Sequence, residues 1–296
     1  MKERTDAMEF RHYQDSDYDA LIEFFITLNR TARTHVNWNW ARFEWMAEHP
    51  EFDREHRSSI GLWFDGENVV AAAVYDMYFG EAFQGVLPGY EELRQEVLDY
   101  CWQALRDDNG LGIAVNDRDA ETALLLRNQG FVPADQTETI LALPLDKPLS
   151  VELPAGFRIV EPDPVKQLRD LQWLFWQGFD HGEDRAEFEK EDHAVSGVRK
   201  HARAELNLAA ESPRGELVSF TGVWFHDAAD YAYVEPVCTI PSCRGRGIAR
   251  ALLSEALNRA RLLGAKTAYV ISDLPFYKKM GFSEDQHYIF YWKKDA

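Results

Sequence analysis

Residues 233–253 read YVEPVCTIPSCRGRGIARALL, and this is where the chain's residue types and spacing could do chemistry. An apolar run ends at Thr239, Pro241 breaks any ladder, and Arg244-Gly245-Arg246-Gly247-Ile248-Ala249 leads directly into a helical pattern. Glycine lets a backbone turn tightly and approach a ligand closely. The first N–H groups of a helix have no partner inside it, and the helix dipole adds partial positive charge there. Such a strand-turn-helix junction holds phosphate well, and Arg244 and Arg246 add two charges suited to a pyrophosphate. A basic loop capping an ordinary helix would look similar. The segment is not a P-loop, because no Gly-Lys-Ser/Thr follows, and it lacks the G-x-G-x-x-G of a dinucleotide fold.

The elements that must position this turn are legible around it. Ile248, Leu252, Leu253, Ala256, Leu257 and Ala260 recur at helical spacing over 247–263, and Gly264 stands where a C-cap glycine belongs. Upstream, 157–161 reads as a strand, and 164–178 and 186–203 as helices. Strands are expected at LNLAAE, LVSFTGVWFH and YAYVEPVCT. Downstream, TAYVIS (267–272) is a strand, a short helix spans 275–280, and HYIFYWK closes the sheet. Along the strand before the turn, alternation puts Tyr233, Glu235, Val237 and Thr239 on one face.

The chain has 296 residues, a length suited to two domains of roughly 150 residues. Pro144, Pro148 and Pro154 interrupt the middle and mark a linker at 146–156, between domains at 1–145 and 157–296. The halves share a pattern. Phe10-Arg11 corresponds to Phe157-Arg158, Gly66-Glu67 to Gly215-Glu216, and RNQGF (127–131) to KKMGF (278–282). A spacing this long means duplicated domains rather than a solenoid.

Arg244-x-x-Gly247-x-Ala249 is similar to the R/Q-x-x-G-x-G/A signature of the GCN5-related N-acetyltransferases. The resemblance runs through FYKKMGF and, more loosely, over 156–296. It implies an α/β (α+β) fold of two tandem GNAT-like domains, each a mixed, mostly antiparallel sheet flanked by helices. It implies an acyl-CoA-dependent N-acyltransferase that moves acetyl from acetyl-CoA to a primary amine of a small molecule. The backbone of Arg244, Gly245, Arg246, Gly247, Ile248 and Ala249 would hold the coenzyme A pyrophosphate. Val237, Cys238 and Thr239 would pair with the pantetheine arm where the strand splays from its neighbour. Tyr277, four residues before a Gly-Phe pair, matches the family's general acid. Glu235 is the candidate base, with a structural carboxylate as the alternative. Many relatives carry an asparagine after the fifth strand; here Ser272-Asp273 stands in its place, and Ser272 is the candidate for that contact.

The first half lacks this chemistry. With Pro88 aligned to Pro241, Glu91, Glu92, Arg94 and Glu96 replace the loop, and Leu126 falls at Tyr277. Carboxylates repel phosphate, and leucine donates no proton. The first half reads as a degenerate copy.

The acceptor wall is expected around 173–193. Trp173, Trp176 and Phe179 fit core packing, and the polar run Asp180, His181, Glu183, Asp184 follows. Carboxylates there would suit a cationic amine; a solvated acidic loop has the same composition. Phe179, Asp180, His181 and Trp224 are the candidate acceptor residues. His181 and His193 are expected at the surface, and His226 with Trp224 at the cleft. The net charge of −18 argues against nucleic acid as partner. No 18-residue apolar run suggests a membrane span, and MKERTDAMEF lacks the apolar core of a signal peptide. Cys101, Cys238 and Cys243 make neither a disulfide framework nor a zinc site, so no metal is implied. A cytoplasmic monomer or homodimer is expected. A coenzyme A-binding sensor without transfer activity is the alternative function.

Overall fold

The structure is a computed structural model that describes residues 8–31, 37–49, 51–190 and 200–294. In the first half, β1 (Glu9–His12) leads into α1 (Tyr18–Thr31) and α2 (Trp40–Ala47), then β2 (Gly61–Asp65), β3 (Asn68–Tyr75) and β4 (Glu81–Val86). Helix α3 (Arg94–Ala104), β5 (Leu111–Asn116), α4 (Ala120–Asn128) and β6 (Val132–Pro144) complete it. The second half repeats the order as β7 (Arg158–Val160), α5 (Leu168–Gly178), α6 (Arg185–Phe188), β8 (Asn207–Glu211), β9 (Leu217–Phe225), β10 (Tyr231–Thr239), α7 (Ile248–Leu263), β11 (Thr267–Ile271), α8 (Pro275–Met280) and β12 (Ser283–Lys293). Residues 145–157, with Pro148, Pro154 and Gly156, are neither helix nor strand. Of the helix expected over 186–203, the described residues show α6 at its start; residues 191–199, including His193, lie outside the described residues.

The twelve strands of the described residues form one sheet, in the order β1-β2-β3-β4-β5-β12-β6-β11-β10-β9-β8-β7. This corrects the expectation that HYIFYWK closes the sheet of its own half. Strand β12 pairs antiparallel with β5 from Tyr288↔Asn116 to Lys293↔Leu111, while β6 of the first half pairs with β11 from Thr267↔Pro144 to Ile271↔Ile140. Each half therefore completes the sheet of the other. The reason is chemical equivalence: both closing strands follow a short helix and a Gly-Phe pair, both alternate apolar and polar, and either satisfies the same open edge.

Helix α7 forms because its apolar residues recur on one face, and that face is fully buried at Leu252, Leu253, Ala256, Leu257 and Ala260. Each buried leucine contributes about 1.5–3 kcal/mol relative to exposure. Gly264, at φ 118°, ends the helix in the left-handed conformation that a side chain would disfavour. The stripe holds α7 against β8, β9 and β10, which fixes where its N-terminus points.

Candidate active site

Strands β10 and β11 are parallel but pair only over Tyr231–Tyr233 and Thr267–Tyr269. Beyond Tyr233 they diverge. On its other side, β10 carries a bulge against β9: Val234 opposes Val223, but Val237 opposes Thr221, so Glu235 and Pro236 face Gly222 alone. A Cβ on Gly222 would lie 2.5 Å from the Glu235 carbonyl oxygen and 3.0 Å from Pro236 Cδ, so only glycine fits opposite the bulge. The extra residue also corrects the alternation expected along this strand. Val237 shares a face with Val234 and packs with the α7 core, whereas Tyr233 faces the first-half core. Glu235 sits at the change of face, half-buried.

A cleft of about 590 Å³ opens where the strands diverge. Val237, Cys238 and Thr239 of β10 form one wall, 243–250 the second, and Leu274, Phe276, Tyr277, Lys279 and Met280 the third. Gly245 (φ 72°) and Gly247 (φ 84°) both take left-handed conformations, and a Cβ at either would meet nothing within 4 Å. Here glycine serves the turn, and the space beside it is open to a ligand. Gly247 caps α7 without a side-chain bond, which leaves the first helical N–H groups to the cleft.

The arginines are arranged differently from the expectation that both reach a pyrophosphate. Arg244 donates to the Thr239 carbonyl at 2.9 Å and the Gly178 carbonyl at 3.0 Å, and pairs with Asp180 at 2.8 Å. It ties the end of α5 to the end of β10. Gly178 permits that approach, because a Cβ there would lie 2.7 Å from Cys238 Sγ. Arg246 lies over the Phe157 ring at 4.7 Å. Two cations that sequence reasoning passed over, Arg250 and Lys279, also line the cleft. The signal was available: Arg250 is one helical turn after Gly247, and Lys279 is two residues past Tyr277.

Tyr277 is held in α8 with its ring against Phe276 and Phe282, and is 7% exposed. Burial, and then the nearby Glu235 carboxylate, push its phenol well above the ordinary value of 10.0. The group is a protonated donor at neutral pH. The Tyr233 phenol, also buried, is hydrogen-bonded to Glu235 and raised by burial first and that carboxylate second. Cys238, although in the cleft wall, has its thiol pushed up to about 12 by burial, which removes it as a nucleophile at neutral pH.

The remaining candidates are placed as follows. Ser272 Oγ accepts from the Leu274 N–H at 3.1 Å and caps the approach to α8. Phe179 is exposed, Asp180 is bound to Arg244, and the His181 ring packs 5.3 Å from Trp176. Trp224 is buried, and its indole N–H donates to the Glu235 carbonyl at 2.7 Å. His226 lies 5.6 Å from Trp40 of the first half.

The equivalent gap in the first half is closed. Strands β4 and β5 pair only at Glu81–Ala82 with Gly112–Ile113, and the space past that point is about 10 Å³. The Glu91 carboxylate accepts from the Gly89 N–H at 2.9 and 3.0 Å, and Leu126, the counterpart of Tyr277, is fully buried. Among the described residues no group of three His, Cys, Asp or Glu could hold a metal ion, and no helix is long and apolar enough to cross a membrane.

Two of three comparisons with known proteins found similar ones. No curated protein matches the chain. Among solved structures, a tandem GNAT protein from the clavulanic acid biosynthesis pathway matches with a TM-score of 0.59 at 17% identity, covering 97% of this chain and 98% of its own. A GCN5-related N-acetyltransferase from Sphaerobacter thermophilus gives 0.55 at 17% identity over 98% and 96%. A GNAT-family acetyltransferase from Colwellia psychrerythraea gives 0.57 at 13% identity over 98% and 100%. At these identities the likeness is one of fold. Residues 165–282 match the model of the acetyltransferase (GNAT) family. Residues 165–282 thus match the GNAT acetyltransferase family, whose members are in general acyl-CoA-dependent N-acetyltransferases, and the whole chain shares the fold of tandem members of that family.

Proposed function

We infer that the protein transfers an acetyl group from acetyl-CoA to a primary amine of a small molecule, by direct attack, in the cleft between β10 and β11. The observation that carries this reading is the charge of the cleft. In a chain of net charge −18, its lining includes Arg246, Arg250 and Lys279, besides Arg244, whose charge Asp180 already meets, and, among the described residues, no carboxylate. With the left-handed Gly245 and Gly247 and the open N-terminus of α7, that lining fits a pyrophosphate. The first half, its own gap filled, is a degenerate copy, with the domain boundary in the proline-rich 146–156 segment.

Acetyl-CoA, when bound, supplies the thioester. The main chain of 246–249 would hold its pyrophosphate, and Val237 to Thr239 its pantetheine arm. The Val237 N–H would polarise the thioester carbonyl. Glu235 takes the proton from the attacking ammonium, so that nitrogen can form the amide bond as the carbon–sulfur bond breaks. Tyr277, protonated, gives its proton to the departing sulfur and is reprotonated by the second proton that the nitrogen loses as the amide forms. A covalent acyl-cysteine step is disfavoured by the buried, high-pKa Cys238. The polar segment at Phe179, Asp180 and His181 suits a cationic acceptor, although Asp180 already holds Arg244.

Calorimetric titration of acetyl-CoA into wild type and Gly247→Glu tests the site. One site per chain, lost in the variant, is expected. Two sites would reopen the first half, and none would end the enzyme reading. Release of coenzyme A thiol with a panel of primary amines then separates transferase from sensor.

A further inference from the structure

Helix α5 ends in a geometry that its sequence does not favour. The His181 N–H donates to the Trp176 carbonyl at 3.0 Å, and the Asp180 N–H to the Gln177 carbonyl at 3.2 Å. The His181 ring packs 5.3 Å from that of Trp176. Two such crossed bonds, closed by a side-chain contact, are the Schellman ending of a helix, and they put Asp180 at the left-handed position that glycine usually fills. Asp180 has φ 63°, and among the described residues it is the only one other than glycine at positive φ. A side chain held in this region is strained, and such strain persists where the surroundings make use of it.

What the Asp180 side chain meets is the first residue of the coenzyme turn. Its Oδ1 lies 2.8 Å from the Arg244 guanidinium. The same guanidinium donates to the Gly178 carbonyl at 3.0 Å and to the Thr239 carbonyl at 2.9 Å. Three elements therefore converge on one arginine: the end of α5, the end of β10 and the turn before α7. Gly178 allows them to do so, since a Cβ there would lie 2.7 Å from Cys238 Sγ. Arg244 lines the cleft, yet its charge is committed to acceptors within the chain. Both partners of the ion pair are exposed to solvent, and exposed pairs are weak. A phosphate, more highly charged than a carboxylate and able to take two guanidinium N–H groups at once, is the stronger acceptor.

Resting on the reading of this cleft as the acetyl-CoA site, we propose that Asp180 is a positioning residue that competes with the coenzyme phosphates for Arg244. In the free protein it holds the guanidinium against Gly178 and Thr239. Coenzyme binding draws the guanidinium away and leaves the Asp180 carboxylate unpaired. The helix end next to the acceptor wall is thus tied to the empty coenzyme turn and released from the filled one.

The test is calorimetric titration of acetyl-CoA into the full-length protein at low ionic strength. Asp180→Asn removes the charge and keeps a residue that tolerates the left-handed backbone. It should tighten binding about two- to fivefold, the range that loss of an exposed ion pair allows. Asp180→Gly, which suits the left-handed position better still, should do the same. In an Arg244→Gln background Asp180→Asn should change nothing, because glutamine can bond the two carbonyls but has no charge to contest. Unchanged or weaker binding in Asp180→Asn overturns the proposal. So does equal tightening with and without Arg244, which would mean only that one negative charge fewer suits an anionic ligand. A wild type that binds no acetyl-CoA would end the coenzyme reading and this inference with it; a wild type that binds, with variants that bind alike, would end this inference alone.

Discussion

Trp224 lies across the β10 bulge from Glu235, its indole nitrogen 2.7 Å from the Glu235 carbonyl oxygen. The bulge lifts that carbonyl out of the ladder with β9, and a buried carbonyl without a donor costs about 1–3 kcal/mol. Trp224 supplies the donor from the facing strand, and Gly222 next to it supplies the space. The base candidate is thus held by its main chain while its carboxylate bonds the Tyr233 phenol and acts electrostatically on that of Tyr277.

Gly222→Ala tests that support. The added methyl would sit 2.5 Å from main-chain oxygen, which cannot swing aside as a side chain would. Overpacking of this kind costs about 1–3 kcal/mol. We expect a Tm lower by several degrees and a fall in turnover larger than any change in acetyl-CoA affinity. Wild-type Tm and turnover together would mean that the bulge is not held by this contact.

Tyr277→Phe keeps the ring packing against Phe276 and Phe282 and removes only the donor. Turnover should fall roughly 10²- to 10⁴-fold, the usual contribution of a general acid, with acetyl-CoA binding little changed by calorimetry. The pH dependence has a definite sign. Because burial and Glu235 raise the phenol's pKa above its ordinary value of 10.0, the acid stays protonated as pH rises, and kcat should show no alkaline fall below about pH 10. A limb near pH 8 that vanishes in Tyr277→Phe would contradict the raised phenol.

How much of this the sequence disclosed follows from the range of each interaction. The Gly245–Gly247 turn, α7 and Tyr277 depend on neighbours within a few residues, and their spacing gave them away. The bulge escaped because it is one extra residue in a run whose alternation looks regular. Its mark was Gly222, a glycine inside a strongly apolar strand and fourteen residues before Pro236. Arg42 and Glu138 are 96 residues apart and meet only through the exchanged strand, so no local pattern joins them. The exchange itself was illegible, because β6 and β12 carry the same pattern and either fits either edge.

Cys238→Ala should retain most activity, since a thiol pushed up to about 12 carries almost no thiolate at neutral pH. Initial-rate kinetics should show a ternary-complex pattern with no acylated enzyme by mass spectrometry. A stable acetyl group on Cys238 would replace direct attack with a two-step route.

Separating the halves should fail, and the failure should be mutual. Residues 1–145 alone leave β5 without β12, and β6 without both of its neighbours; residues 157–296 alone leave β11 without β6. Each fragment would expose long, partly apolar strand edges, which pair indiscriminately with other chains. We expect each fragment expressed alone to aggregate or to lack cooperative thermal unfolding, and the two co-expressed to purify together and bind acetyl-CoA. A monomeric, cooperatively folded 157–296 fragment that binds acetyl-CoA as tightly as the full chain would show that the exchanged strands are dispensable.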